Sequence, residues 1–576
     1  MATPTVAVSP SDQALNKPTS PQQQSRVIFP EGIFHRTSIH GVQGIFFVLL
    51  ATLFAILTVP YDVAPPGVLR PSALWMSLGL AAPILARIWL KPHALFDPVN
   101  VALIAPIFWI LLDPIQGSYE LFNISDNEPK MSFICILLYA MGIYTATFHK
   151  PWRLPQSVWR AANVKLSPRS IFIIGLIAFS IAILRFAIPS KFNPITMWNG
   201  LFANRWDAPW APNPGTVQTI IDHFSYFGYL LPTLTVLLGR LHRWRHPSVY
   251  IMAALSVIIT AFISQGGGRR EVGVMIASAF VVWFLTANAP KLRHILVVAA
   301  LSISLLWLLQ TILEFRDQGV AQAFTEEADW KEQRREKFHV DDNFLRMCQI
   351  MQIFPQDHPH VGFQYVIWVL ARPIPRILWP NKPLNPGFDL AKYWGQESVS
   401  YSCSFIAEVY MAFSFIGCVI GGWIVGRAAI TLRTILQPSR PFGALIMFGI
   451  GLLALFTGMR SGIEFILMSY GILAWIGLVW FFTRKKHPTH PSPLSHPLHP
   501  SASTVRIPNP AFHALGPSPS AVPFARPPHP FTPPPSHSAT HSPFVPPPPP
   551  RGIPHPPTPP PQSSLASQAP NIHPAA

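Results

Sequence analysis

An all-α, polytopic membrane protein with about twelve transmembrane helices is the fold class this sequence predicts, and three observations carry that prediction. Half of the 576 residues are hydrophobic, only 12% are charged, and mean hydropathy is +0.32. A soluble domain ordinarily carries roughly 25% charged residues. Apolar runs near the roughly 20-residue length needed to cross a bilayer recur along the chain. Basic residues are concentrated in every second connection between those runs, as the orientation rule for membrane helices requires.

Residues 1–25 are polar and rich in Pro, Ser and Gln, and they hold no apolar core of signal-peptide type, so insertion is expected to begin with the first membrane helix. The expected spans lie near 40–59, 72–90, 98–113, 131–148, 169–189, 217–238, 249–264, 272–288, 293–313, 402–424, 441–457 and 463–482, with 98–113 and 249–264 the shortest for the task. Arg153, Arg160, Lys165 and Arg169 follow the fourth run, and Arg240, Arg243 and Arg245 the sixth. Lys291 and Arg293 follow the eighth, Arg427, Arg433 and Arg440 the tenth, and Arg484, Lys485 and Lys486 the twelfth. All are even-numbered exits, which places them and both termini in the cytoplasm. The connection after the third run agrees, because it carries Asp113, Glu120, Asp126 and Glu128 against Lys130 alone.

The organisation that follows is a cytoplasmic N-terminus (1–39), nine spans (40–313), one long outer loop (314–401), three spans (402–486) and a tail (487–576). In the outer loop, the charged run 328–337 predicts a short surface helix. The apolar, aromatic stretch 361–378 predicts a segment that lies along the interface or dips into it and returns. The tail has no Asp, Glu or Lys and is about one-third proline. It cannot bury a core, so a disordered chain of polyproline II character is expected.

The net charge of +17 raises the question of nucleic acid, but no recognition motif accompanies it, and the excess is largely in short inter-helix connections. Cys135, Cys348, Cys403 and Cys418 show no metal-ligand spacing. Cys348 and Cys403 are the two that can pair, although spacing does not supply the geometry. No P-loop, zinc-protease, serine-hydrolase or dinucleotide fingerprint stands in a usable context. Neither a metal nor a cofactor is therefore expected.

The residues that topology does not need are arginines at the expected outer ends: Arg269 and Arg270 after Gly266–Gly268, Arg372 and Arg376 around Pro373 and Pro375, and Arg460 between Gly458 and Gly462. Guanidinium is always charged and its donor fork matches phosphate oxygens, so two or three arginines can hold a diphosphate. Such fixed charge also stabilises a diphosphate leaving group. The triple glycine is expected to present Arg269 and Arg270 to one ligand; snorkelling to lipid headgroups is the alternative. An extended Arg372-to-Arg376 segment would hold its arginines about 13 Å apart, which predicts one ligand contact and one structural role. Trp379 and Lys382 follow as a surface for stacking on sugar rings or as an interface anchor. Arg460 has Glu464 one turn away as a partner and is the weakest of the set.

Transfer onto a hydroxyl benefits from a base. Glu408, expected inside the outer third of the tenth span, is the first candidate, as base or as arginine partner. His339 with Asp341 and Asp342 is the second, and His358 and His360 are alternatives.

Together, the Gly-Gly-Arg-Arg-Glu turn, the late outer loop with Arg372-Pro373-x-Pro375-Arg376-x-Leu378-Trp379-Pro380-x-Lys382-Pro383, Glu408-x-Tyr410 with Phe413 and Gly417, and a final Arg460 resemble the O-antigen (Wzy-type) oligosaccharide repeat-unit polymerases of bacterial inner membranes. The likeness covers residues 40–482 in architecture, and its specific motifs fall in 265–272 and 370–418. It implies a metal-independent, membrane-embedded glycosyltransferase joining repeat units carried on undecaprenyl diphosphate at the outer face. Arg269, Arg270, Arg372, Arg376, Trp379, Lys382, Tyr410 and Arg460 would bind substrate, and Glu408, His339 and Asp341 would serve the chemistry. The implied partners are the lipid-linked oligosaccharide, the membrane and a chain-length regulator or flippase, but not nucleic acid. The tail and the 326–337 insertion depart from the family pattern. A glycan ligase and a polysaccharide or lipid transporter are the rival readings; a transporter would show charged or broken helices at mid-membrane and an internal repeat.

Overall fold

The computed structural model describes residues 38–484, apart from 91, 119, 212–217, 267, 287–291, 316–336, 339, 375, 377, 384, 397–400 and 437–441. The N-terminal 37 residues, the charged run before Lys337, His339 and the proline-rich tail lie outside the described residues. Among those described, every regular element is helical. We number the main helices α1 (Ser38–Leu57), α2 (Arg70–Leu90), α3 (Pro98–Gln116), α4 (Asn127–Ala146), α5 (Pro168–Ala187), α6 (Pro247–Gln265) and α7 (Arg269–Leu285). They continue with α8 (Leu292–Phe315), α9 (Asn343–Ile353), α10 (Phe363–Ala371), α11 (Phe405–Ile435), α12 (Phe442–Thr457) and α13 (Gly462–Arg484).

Among the described residues, seven helices are long and apolar enough to cross a membrane: α2, α3, α4, α5, α6, α11 and α13. Shorter apolar helices occupy Gly41–Leu57, Leu296–Thr311 and Phe442–Thr457. Outward-facing side chains are apolar, for example Phe46, Val257, Ile303, Trp307 and Phe481, as a lipid-facing surface demands. Both runs expected to be shortest prove to be full-length helices. Asp97 accepts the Val99 N–H at the start of α3, and His246 accepts the Ser248 N–H at the start of α6; α3 continues three residues past its apolar run, and α6 begins two residues before its own.

Two expected spans have a different form. The run 217–238 is split into Gln218–Asp222, Ser225–Gly228 and Leu230–Leu241. His223 and Phe224 donate their N–H groups to residues three positions back, tightening the backbone. Pro232 has no N–H with which to continue the helical ladder across the last break.

The tenth span shows the larger difference. α11 has non-helical backbone at Phe413 (φ −140°, ψ 22°) and Ser414 (φ 58°, ψ −153°), and there the chain reverses. In a straight helix Ile406 and Cys418 would be about 18 Å apart. Here Cys418 Sγ lies 3.8 Å from Ile406 O, and a Cβ on Gly417 would sit 2.0 Å from Val409 O. Residues 405–412 are thus a short arm folded back on 415–435, which by itself is about 31 Å long at 1.5 Å per residue. Glu408 belongs to the arm and not to the outer third of a straight span. Arg427 and Arg433, expected in a loop, lie inside the long limb.

The reversal makes Gly417→Ala a sharp probe, since the added carbon would overlap backbone that cannot move aside. We expect it to cost about 1–3 kcal/mol and to lower the melting temperature in detergent. An unchanged melting temperature would mean that the arm does not pack there. The long limb is set against α4 by small residues on both sides: Cβ atoms on Gly142 and Gly422 would lie 2.3 and 2.1 Å from Val419 O and Tyr139 O. Such close backbone approach is how membrane helices gain packing without a hydrophobic driving force.

The expected outer loop is not wholly exposed. Its helix α9 is sunk into the core, with Phe344, Met347, Cys348 and Ile350 each 0% exposed. Phe344 packs 5.4 Å from Phe133 of α4, and Cys348 Sγ lies 3.6 Å from Ser132 Oγ. All four cysteines are free thiols, so Cys348 and Cys403 are not paired. α10 has nine residues, too few to span. Phe363, Ile367 and Leu370 form an exposed apolar stripe on it, while Tyr365 is buried.

Candidate functional site

The N-terminus of α7, the N-terminus of α13 and the segment 340–342 meet at one end of the bundle. Gly268 is the N-cap of α7 and Arg269 and Arg270 are its first residues, not residues of the turn before it. Cations there oppose the helix dipole. The compensation comes from other segments.

Arg269 donates to Asp341 Oδ1 at 3.0 Å and to the Val340 carbonyl. Arg270 pairs with Glu464 Oε1. Arg460 joins the two pairs, with Nε 2.5 Å from Asp341 Oδ2 and Nη1 3.4 Å from Glu464 Oε1. Successive helical residues point about 100° apart, so Arg269 and Arg270 reach separate carboxylates, and the expectation that both face one ligand needs Arg460 to connect them. Arg460, the weakest candidate on sequence grounds, is the centre of the network.

Glu408 positions that centre. Its Oε1 accepts from Ser461 Oγ at 2.6 Å, and its Oε2 accepts from the Gly462 N–H at 2.7 Å and from Tyr365 Oη at 2.9 Å. The carboxylate therefore sits on the N-terminus of α13, where anionic charge is favourable. A Cβ on Gly462 would fall 2.0 Å from Tyr365 Oη, so glycine is required for this approach. Ser402 Oγ also donates to the Arg460 carbonyl at 2.9 Å, and the Phe405 N–H to Met459 O at 2.8 Å. These three hydrogen bonds tie Glu408 to the Arg460 turn.

Burial alone would push the Asp341 carboxyl up, but Arg460 and Arg269 hold it below the usual carboxylate range. Its folded-state pKa is thus depressed. The stabilisation is present above the unfolded value of about 3.9 and is lost as pH falls through the lower folded value. We expect the melting-temperature gap between the protein and its Asp341→Asn variant to be constant from pH 8 to pH 5 and to close only in stronger acid, about pH 3 and below. A gap that closes between pH 7 and 6 would show that the pairs do not set it.

The other predicted residues divide. Arg372 is not extended but helical, as the C-cap of α10 (φ −55°, ψ −41°), and the Ile374 N–H bonds back to Ala371 O at 3.0 Å. The chain turns there, so the 13 Å separation from an extended strand does not apply. Arg372 is exposed, and its charge acts on Tyr226 and Tyr470. Arg376 holds its own loop, with Nη1 3.4 Å from both Pro380 O and Lys382 O.

Lys382 is buried. Its ammonium donates to the Ala371, Arg372 and Ile374 carbonyls at 3.4, 3.3 and 2.8 Å, capping the last turn of α10. Burial, with Arg372 and Arg376 nearby, pulls its pKa below the ordinary lysine value. Its three carbonyl contacts brace the loop that follows α10. Tyr410 is likewise buried, its hydroxyl 3.3 Å from Phe354 O. Trp379 is exposed. His360 Nδ1 lies 3.2 Å from Met411 O and His358 Nδ1 2.6 Å from Pro359 O, away from the arginine network's partners.

Sequence reasoning missed Tyr365, Ser461 and Arg185. Arg185, in the last turn of α5, lies 3.4 Å from Asp222 beside Tyr226, whose ring is 4.7 Å from that of Tyr470. A lone arginine ending an apolar run was the available signal.

These features define an all-helical protein, with helices fit to cross a membrane, that gathers three arginines and two carboxylates at one end of its bundle. Comparison with protein-family models, curated proteins and solved structures gave no match.

Proposed function

We propose that this protein is a membrane-embedded glycosyltransferase that polymerises undecaprenyl-diphosphate-linked oligosaccharide repeat units at the outer face of a bacterial inner membrane. The observation that carries the reading is the convergence of Arg269, Arg270 and Arg460 from two separate helix ends onto shared carboxylates. An arginine cluster is what a leaving diphosphate needs. Arg372, exposed on the neighbouring loop, extends the same charge.

In the proposed reaction the bond between the growing chain's terminal sugar and its lipid diphosphate breaks. A hydroxyl oxygen of the incoming unit forms the new glycosidic bond, and its proton passes to a base. The electron pair leaves with the lipid diphosphate, whose charge the arginines stabilise. The remaining elements of the reading are twelve spans, cytoplasmic termini and contact with a chain-length regulator or flippase.

The test is incubation of purified protein with an authentic lipid-linked repeat unit. A ladder of longer lipid-linked products is expected, and its absence would overturn the reading. In a deletion strain, single lipid-linked units are expected; accumulation of long lipid-linked chains would indicate a ligase instead.

A further inference from the structure

The two carboxylates paired with the three arginines are mounted differently. Glu464 is in the first turn of the long helix α13 and is only 3% exposed, so it is part of the rigid frame. Asp341 stands in an irregular segment. That segment is entered through Lys337 Nζ on Gly117 O (2.5 Å) and a reciprocal pair between the Gln116 amide and the Phe338 backbone (3.1 Å each). It leaves through Asn343 Nδ2 on Trp109 O (2.8 Å), a carbonyl in the π-helical turn Ile107–Leu111. Asp342 there takes a left-handed backbone (φ 51°), which is strained for a residue other than glycine.

Beneath the segment lies Asp113, 1% exposed, its carboxyl facing the backbone N–H groups of Val340 and Asp341. The charges of Asp342 and Asp341 both act on it. Backbone donors thus tie 340–341 to Asp113 while the side-chain charges of Asp341 and Asp342 oppose it, and the arginine pairs of Asp341 offset that repulsion. Those pairs place one arginine on each oxygen of a single carboxylate, which is how two arginines would share the oxygens of one phosphate.

We propose that Asp341 occupies the seat of one phosphate of the diphosphate ligand, and that ligand binding displaces Asp341 and the segment 340–342 from Arg269 and Arg460 while Glu464 stays on Arg270. This rests on the reading of the cluster as a diphosphate site. Asp341 is then a resident competitor and not a catalytic residue, and it keeps the arginines neutralised until substrate arrives.

The experiment is calorimetric titration of the full chain in detergent with geranyl diphosphate. Asp341→Asn is expected to bind at least about tenfold more tightly than the unaltered protein, because the seat is no longer occupied. Arg460→Ala is expected to weaken binding in both backgrounds. Equal or weaker binding by Asp341→Asn, with Arg460→Ala still weakening the unaltered protein, would overturn the competitor while leaving the diphosphate site standing. No binding by either protein would overturn the site itself. Hydrogen exchange on the unaltered protein does not depend on the variant's folding: amides of 340–343 are expected to exchange faster with geranyl diphosphate, and slower exchange would overturn the displacement.

Discussion

Arg460→Ala should lower turnover of a lipid-diphosphate substrate by about 10²–10³-fold, the effect of removing one preorganised donor from a developing anion. Arg460 touches both carboxylates, through Nε to Asp341 and Nη1 to Glu464. Without it, the Arg269–Asp341 and Arg270–Glu464 pairs lose their connection. The stability loss should be smaller than the roughly 3–5 kcal/mol of a fully broken buried pair, because each carboxylate keeps another arginine. Arg460→Lys should recover little, since one ammonium cannot reproduce a planar fork reaching two partners. The check is steady-state polymerisation with purified variants. Full activity for Arg460→Ala at normal folding would remove the cluster from the mechanism.

Glu408→Ala should have the largest effect on the fold of the site. It would leave Ser461 Oγ, the Gly462 N–H and Tyr365 Oη without their acceptor, at about 1–3 kcal/mol for each buried group left unpaired, and the Arg460 turn would lose its anchor. A melting temperature lowered by several degrees and a loss of turnover are expected together. Glu408→Gln separates positioning from base catalysis. As a positioning residue, it should lose stability along with activity, because an amide offers one acceptor oxygen and turns its NH₂ toward donors. A glutamine variant with unchanged melting temperature and abolished turnover would identify Glu408 as the base instead.

Much of this architecture was legible in the sequence. The apolar runs locate most of the long helices, and the even spacing of basic loops groups Arg269, Arg270 and Arg460 at the same end. What was not legible has specific causes. A Phe-Ser pair in an apolar run carries no reversal signal, so the arm 405–412 read as part of a straight span. That Lys382 and Tyr410 reach backbone carbonyls was not legible, because sequence does not show which carbonyls lie above a side chain. In the sequence Arg460 has a local explanation in Glu464, one helical turn away. Asp341, 119 positions away, was its closer partner.

The sequence by itself determined the class: a chain half hydrophobic and 12% charged has enough apolar length for many helices and too little polar surface for a soluble domain. Hydropathy is additive along the chain, so composition and periodicity suffice for that. Only the tertiary structure decided which arginine meets which carboxylate, and that Glu408 anchors a helix start while Asp341 sits between two arginines. Ion pairing and hydrogen bonding act over about 3 Å between residues far apart in sequence, and nothing short of the packed arrangement of the helices fixes those distances.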